Sequence, residues 1–318
     1  MIVKAALVGS FPRPFKVGRL MSKYRDGKID EETYEKKLNA ELMKIIKKIS
    51  KDVSMITDCM FLWDDLFEPF SNSFEGLEKG GLYRFLDNNF YYRIPVVKGL
   101  IRHMDATLAS FEKVRSIVRG LRGKLDIKAV LPGPYTFSKM CDNRYYSSLE
   151  RLAMDIAEAL GEEARELEKN GAEIIEVHEP LLTSEEIDMG LFIDSFKAFS
   201  SKFSAKIWLQ TYFGPIKTKL EDLSDLRINV LGIDLVEAEE QFDRVLGIKS
   251  TWELGLGAIN SRSTKLESVS SLRCLIKKTS KKFSKVYLTP NAMMDFIPVS
   301  IALAKIRKMG IASRVFKK

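Results

Sequence analysis

Histidine and cysteine are scarce in this chain: 318 residues contain two of the former and three of the latter. Cys59, Cys141 and Cys274 form no CxxC pair and are odd in number. That pattern excludes a sequence-evident zinc ribbon or disulfide framework and points to free thiols in a reducing, cytoplasmic setting. No apolar run reaches the ~18 residues of a membrane span, so no membrane partner is expected. The start, Met1-Ile2-Val3-Lys4-Ala5-Ala6-Leu7, lacks a signal-peptide core and runs into a strand-like segment. Also missing are a GxGxxG after the first strand, a Walker loop, an HExxH pair and a serine elbow. No Gly-, Ser- or Pro-rich linker divides the chain, which reads as one domain over residues 1–318, without short-period repeats.

The chain is 45% hydrophobic and 30% charged, enough for a sizeable core. Its net charge of +8 favours acidic partners or simply a lysine-rich solvated surface. The basic residues are dispersed and no nucleic-acid motif accompanies them, so nucleic acid is not an expected partner.

Short apolar stretches near residues 5, 54, 128, 174, 206, 230, 254 and 286 read as strands. Helical or long connections separate nearly every pair. The most regular of these run from Asp30 to Ser50 and from Leu149 to a stop at Asn170-Gly171. Phe61 to Arg93 reads as a long irregular connection, and Val96 to Gly120 as mostly helical. Eight alternations predict an α/β fold of the (β/α)8 TIM-barrel type.

In such a barrel the carboxyl ends of the strands converge on one site. Ile174-Ile175-Glu176-Val177-His178-Glu179-Pro180 is the clearest strand with a polar end. His178 and Glu179 are therefore the catalytic candidates; the alternative is a pair of loop side chains facing water. The other strand ends contribute Arg13, Asp58, Tyr212, Asp234 and Asn260 as candidate substrate contacts in one central pocket.

Seven motifs now occur in one order across nearly the whole chain. They are Phe11-Pro12-Arg13, Asp87-Asn88-Asn89-Phe90-Tyr91-Tyr92, Leu131-Pro132-Gly133-Pro134-Tyr135-Thr136 and Val177-His178-Glu179-Pro180. Leu209-Gln210-Thr211-Tyr212-Phe213, Gly232-Ile233-Asp234-Leu235-Val236 and Gly255-Leu256-Gly257-Ala258-Ile259-Asn260-Ser261-Arg262 follow. This series resembles the N-terminal barrel of cobalamin-independent methionine synthase. It departs at His178, where the family usually has aspartate before Glu-Pro.

The resemblance implies methionine biosynthesis by methyl transfer from 5-methyltetrahydrofolate to homocysteine. In that family a C-terminal barrel holds zinc through a His-x-Cys, a Glu and a later Cys. Laid onto this chain, the His-x-Cys falls on Gln210-Thr211-Tyr212 and the last Cys near Asn291-Ala292; Glu237 is the nearest candidate for the Glu. No metal ligand of this chain is assigned, and zinc is expected on a separate partner barrel. The resemblance further implies that Lys16, Arg19 and Arg84 hold the acidic polyglutamate tail of the folate substrate. Each could equally be an ordinary solvated cation. The alternatives are a self-sufficient homocysteine methyltransferase with a rebuilt metal site, and a basic nucleic-acid-binding protein.

Overall fold

A computed structural model describes residues 1–86, 88–121, 123, 125–249 and 251–316; Asp87, part of the second motif, lies outside them. The strands are β1 (Ile2–Ala5), β2 (Met55–Ile56), β3 (Glu75–Arg84), β4 (Tyr91–Arg102), β5 (Asp126–Ile127) and β6 (Ala129–Pro132). They continue as β7 (Asp142–Asn143), β8 (Ile174–His178), β9 (Lys206–Gln210), β10 (Val230–Asp234), β11 (Glu253–Ile259) and β12 (Lys285–Pro290). The helices used below are α1 (Phe15–Arg25), α2 (Glu31–Ile49), α3 (Glu68–Ser73), α4 (Leu108–Arg119), α5 (Pro134–Lys139), α6 (Leu149–Lys169) and α7 (Met189–Ser200).

Seven strands form one parallel sheet in the order β1-β12-β11-β10-β9-β8-β6. Its ends are joined through β2. That strand pairs with β5, which leads through Lys128 into β6, and Ala6 bridges to Met55 beside β1. Leu7 N–H donates to the Met55 carbonyl at 3.0 Å, and Lys128 N–H to that of Ile56 at 2.9 Å. With β5 and β6 counted as one kinked strand, eight parallel strands close a barrel. Closure leaves no sheet edge unpaired.

Strand parity decides what each side chain meets. Val3, Leu131, Ile175, Val177, Leu209, Leu231 and Leu288 point outward into the core shared with the helices. Ala6, Val8, Met55, Trp208, Val230 and Tyr287 form a small cluster inside the ring. A Cβ at Gly255 would come within 2.9 Å of the Trp208 ring, so that glycine provides the indole's space. Helix α6 shows why the outer layer is helical. Ser148 caps it by accepting from Arg151 N–H, and Leu152, Ile156, Leu160, Ala164 and Leu167 bury one stripe. Each large aliphatic side chain there contributes roughly 1.5–3 kcal/mol. Gly171, at φ +85°, makes the turn that ends the helix.

The expected helix over residues 96–120 is only partly helical. Tyr91–Arg102 is strand, and α4 begins at Leu108. β4 pairs antiparallel with β3 in a long hairpin, and β7 adds a third strand. Val96, Val97 and Ile101 take their burial from that non-local pairing, which local periodicity does not reveal. The connection expected to be irregular therefore contains α3, β3 and the first residues of β4. Helix α1, placed against α2, was also not anticipated. Among the described residues no helix is long and apolar enough to cross a membrane.

Candidate functional site

The strand-end residues do share the carboxyl end of the barrel, because parallel register places them side by side. Pro132 pairs with His178, and His178 with Gln210. They do not all face one open pocket. His178, Glu179, Tyr212 and Asp234 are completely buried, and Asp58 nearly so.

His178 is the centre of a chain of polar contacts inside the ring. Its Nε2 lies 2.8 Å from Glu176 Oε1 and its Nδ1 3.2 Å from the Tyr212 hydroxyl. Glu176 Oε1 also accepts from Gly9 N–H at 2.6 Å. Gly9 sits at φ +51°, and a Cβ there would lie 2.7 Å from the imidazole, so only glycine allows this approach. Glu176 Oε2 meets Lys128 Nζ in a fully buried ion pair. The ammonium also lies 3.3 Å from the Trp208 ring centroid. Burial pushes the Glu176 carboxyl upward, but Lys128 and His178 outweigh it and hold it below its usual range.

Two other candidates serve the backbone. Glu179 accepts from Tyr135 N–H at 3.0 Å and Thr136 N–H at 2.8 Å, closing the first turn of α5. Burial raises its carboxyl to about 7 against those donors. Asp234 accepts from the N–H groups of Phe213, Val236 and Glu237, each at 2.9 Å, and from Asn291 Nδ2 at 3.1 Å. Burial raises its carboxyl above the ordinary range despite these partners. Asn260 is partly exposed and accepts from Arg262 N–H at 2.9 Å.

Asp58 accepts from the Ser110 hydroxyl at 2.8 Å and Met60 N–H at 3.1 Å. Burial raises its carboxyl from 3.8 to about 6. The folded state thus holds the proton over a window in which the unfolded chain releases it. Stability falls as pH rises through that window and then levels off. Asp58→Asn keeps an acceptor for Met60 and offers Ser110 a donor. Urea unfolding at pH 4 and pH 7 is expected to show this penalty, on the order of 3 kcal/mol at about 1.4 per pKa unit, removed in the variant. An unchanged pH slope would show that Asp58 is not its source.

The open space at this end is a cavity of about 350 Å³. It is walled by Phe11 and Arg13 after β1, Trp63 and Asp64 after β2, Asp295 after β12, and Phe90 from the hairpin. Of the expected pocket residues only Arg13 lines it. Its Nε donates to the Phe61 carbonyl at 2.7 Å and its Nη1 approaches Asp64 at 3.3 Å. Phe90 packs 5.5 Å from Phe296 between ring centroids, and Arg262 reaches Asn88 and, at 2.6 Å, Glu237. The hairpin tip therefore roofs the mouth of the barrel.

Lys16 and Arg19 are exposed on α1 and share a groove of about 480 Å³ with Lys23, Lys37 and Lys44, beside Glu41. Arg84 is exposed on the hairpin and does not line that groove. The inward Lys128 and Glu176 were missed as site residues. Their signal was present, since each is a lone charge at an inward position within an apolar strand.

The strand-end donors do not suit a zinc–thiolate centre. Gln210 Oε1 accepts from Trp208 Nε1 at 2.9 Å, and the Tyr212 hydroxyl is engaged with His178. Asn291 is bound to Asp234 and to Ser261 N–H. Both nitrogens of His178 are occupied, and Cys59, after β2, is fully buried with its pKa raised by burial. Among the described residues the grouping with metal-ligand chemistry is His103, Asp105 and Glu163. Glu163 is already used there, accepting from His103, Thr107 N–H and the Thr107 hydroxyl.

Residues 76–283 match the family model described as cobalamin-independent synthase, N-terminal domain. The chain belongs to that family. A methionine synthase from Sulfolobus acidocaldarius is 26% identical, over 97% of this chain and 90% of its own length. One from Pyrococcus furiosus is 23% identical, over 100% and 94%. Among solved structures, a B12-independent methionine synthase from Shewanella superposes with TM-score 0.80 at 17% identity, covering 99% of this chain and 98% of that one. A methyltransferase from Methanosarcina mazei gives 0.62 at 15% identity, over 98% and 94%. These two share the barrel. The matched residues contain six of the seven motifs, all but Phe11-Pro12-Arg13.

Proposed function

We propose that this chain is the folate-binding barrel of a cobalamin-independent methionine synthase system and works with a separate zinc-bearing barrel. The observation that carries the reading is the donor set at the ends of β9 and β12. Gln210, Tyr212, Asn291 and Ala292 stand where the family resemblance places metal ligands, and none is a thiolate or a free imidazole. The chain's own part is to bind and orient 5-methyltetrahydrofolate, with the glutamate tail held by cations.

The basic groove between α1 and α2 supports that part. Lys16, Arg19, Lys23, Lys37 and Lys44 line it against the single carboxylate of Glu41, which is paired with Lys44 at 2.6 Å. Guanidinium and ammonium groups together suit a run of carboxylates. Exposed pairs contribute ~0.2–1 kcal/mol each, so single substitutions are expected to have little effect. Lys16→Ala/Arg19→Ala/Lys23→Ala, three cations of this groove, should lose roughly 0.6–3 kcal/mol by the same range. Calorimetric titration with mono- and triglutamyl folate, with the zinc barrel present, tests this. Wild type is expected to prefer triglutamate, less so at high salt, and the triple variant to lose the preference. A preference that survives in the variant would remove the folate role's main support.

A second reading is a self-sufficient methyltransferase. It is favoured by the length of the Sulfolobus and Pyrococcus relatives, which match this one barrel over most of their own chains and are named methionine synthase.

A further inference from the structure

The opposite, amino-terminal mouth of the barrel contains a second basic cavity, of about 520 Å³. Its walls come from the amino-terminal parts of β1, β2, β5, β8, β9 and β12 and from the last turns of α4. Lys4, Lys206, Lys285 and Tyr287 approach it from the strands, and Arg115 and Arg119 from the helix.

These cations are not equivalent. Lys4 pairs with Asp126 at 2.8 Å and Lys285 with Glu253 at 2.9 Å. Among the described residues no carboxylate pairs with Arg115, Arg119 or Lys206, although Glu173 also lines the cavity. Arg115 and Arg119 are one helical turn apart, where like charges repel. Arg115 is half-buried and packed on the backbone of Gly171, where a Cβ would lie 2.0 Å from its Nη2. Burial, and after it the charge of Arg119, lower its pKa against the opposing charge of Glu112. The left-handed glycine at 171 thus has a second use beyond ending α6: it leaves the place that the guanidinium occupies.

We propose that this cavity binds a phosphate-bearing anion through Arg115, Arg119 and Lys206. Two guanidinium forks and an ammonium provide donors for several oxygens of a tetrahedral phosphate, and the volume lies in the range of small-molecule sites. The site shares no lining residue with the α1–α2 groove and lies at the other mouth from the strand ends, so its occupancy does not depend on the methyl-transfer reading.

Titration calorimetry of the full chain with pyrophosphate at about 50 mM salt tests the proposal, since phosphate binding weakens as salt screens it. Arg115→Ala/Arg119→Ala is expected to weaken binding at least tenfold. The control Lys16→Ala/Arg19→Ala/Lys44→Ala removes the same kind of charge from the α1–α2 groove and is expected to stay within about twofold. Far-ultraviolet circular dichroism confirms that both variants are folded. A second titration with ADP distinguishes an organic phosphate, which binds more tightly than pyrophosphate, from a free inorganic one; either result supports the site. Absence of binding to wild type, unchanged affinity in the arginine variant, or an equal loss in the control overturns it.

Discussion

Replacing Lys128 with methionine is expected to destabilise the protein by roughly 3–5 kcal/mol, the usual cost of removing one partner of a buried ion pair. Lys128 and Glu176 are both fully buried inside the ring. Methionine fills much of the lysine's volume against Trp208 but leaves the carboxylate with only Gly9 N–H and His178. The pH dependence should also change sign. In wild type the Glu176 carboxyl is depressed below 4.5. Its contribution is present above the unfolded pKa and is lost as acid protonates the folded state. Without Lys128, burial dominates and the folded carboxyl rises, so stability falls as pH climbs above about 4.5. Lys128→Met/Glu176→Gln removes both charges and keeps an acceptor for Gly9. Urea unfolding of the three proteins between pH 4 and 7 measures this, and the double variant should recover most of the loss. A single variant within about 1 kcal/mol of wild type, or a double variant no better than the single, would show that the pair is not coupled in this way.

Purified alone, the chain is expected to form no methionine from homocysteine and 5-methyltetrahydrofolate, and the zinc-bearing barrel should restore turnover. The reason is thiol chemistry. With a pKa near 8.5, a free thiol is only about 3% ionised at pH 7. That factor alone costs about thirtyfold relative to a thiolate, before any loss of positioning. Gln210, Tyr212 and Ala292 offer no group that would hold the sulfur as an anion on a metal. Methionine formation is measured with each barrel alone, both together, and both with a chelator. Turnover by this chain alone that a chelator abolishes would establish the self-sufficient reading and return attention to His178 and Glu179.

The carboxyl-end residues show where sequence reasoning works and where it stops. Asp58, Glu179 and Asp234 were legible as polar groups at strand ends, since each follows an apolar stretch. Whether such a group faces a substrate or satisfies neighbouring N–H groups depends on backbone from other strands and loops. Here Glu179 meets Tyr135 and Thr136, Asp234 meets Phe213, Val236 and Glu237, and Asp58 meets Met60 and Ser110. The open cavity instead belongs to Arg13, Trp63, Asp64, Phe90 and Asp295. Trp63 and Phe90 lie in the segment expected to be irregular, whose hairpin becomes visible only when β3 finds β4.

The sequence by itself determined the eight strands, the barrel and the family. Apolar strands, the amphipathic stripe of α6 and the ordered motifs are local patterns, and alternation of strand and helix leaves few ways to bury them all. Tertiary structure alone decided three other things: the Lys128–Glu176–His178 chain inside the ring, the hairpin roof over the mouth, and the convergence of Arg115, Arg119 and Lys206 at the far end. Each joins residues from separate elements, brought together by barrel closure, and no local pattern records which charges will face one another across it.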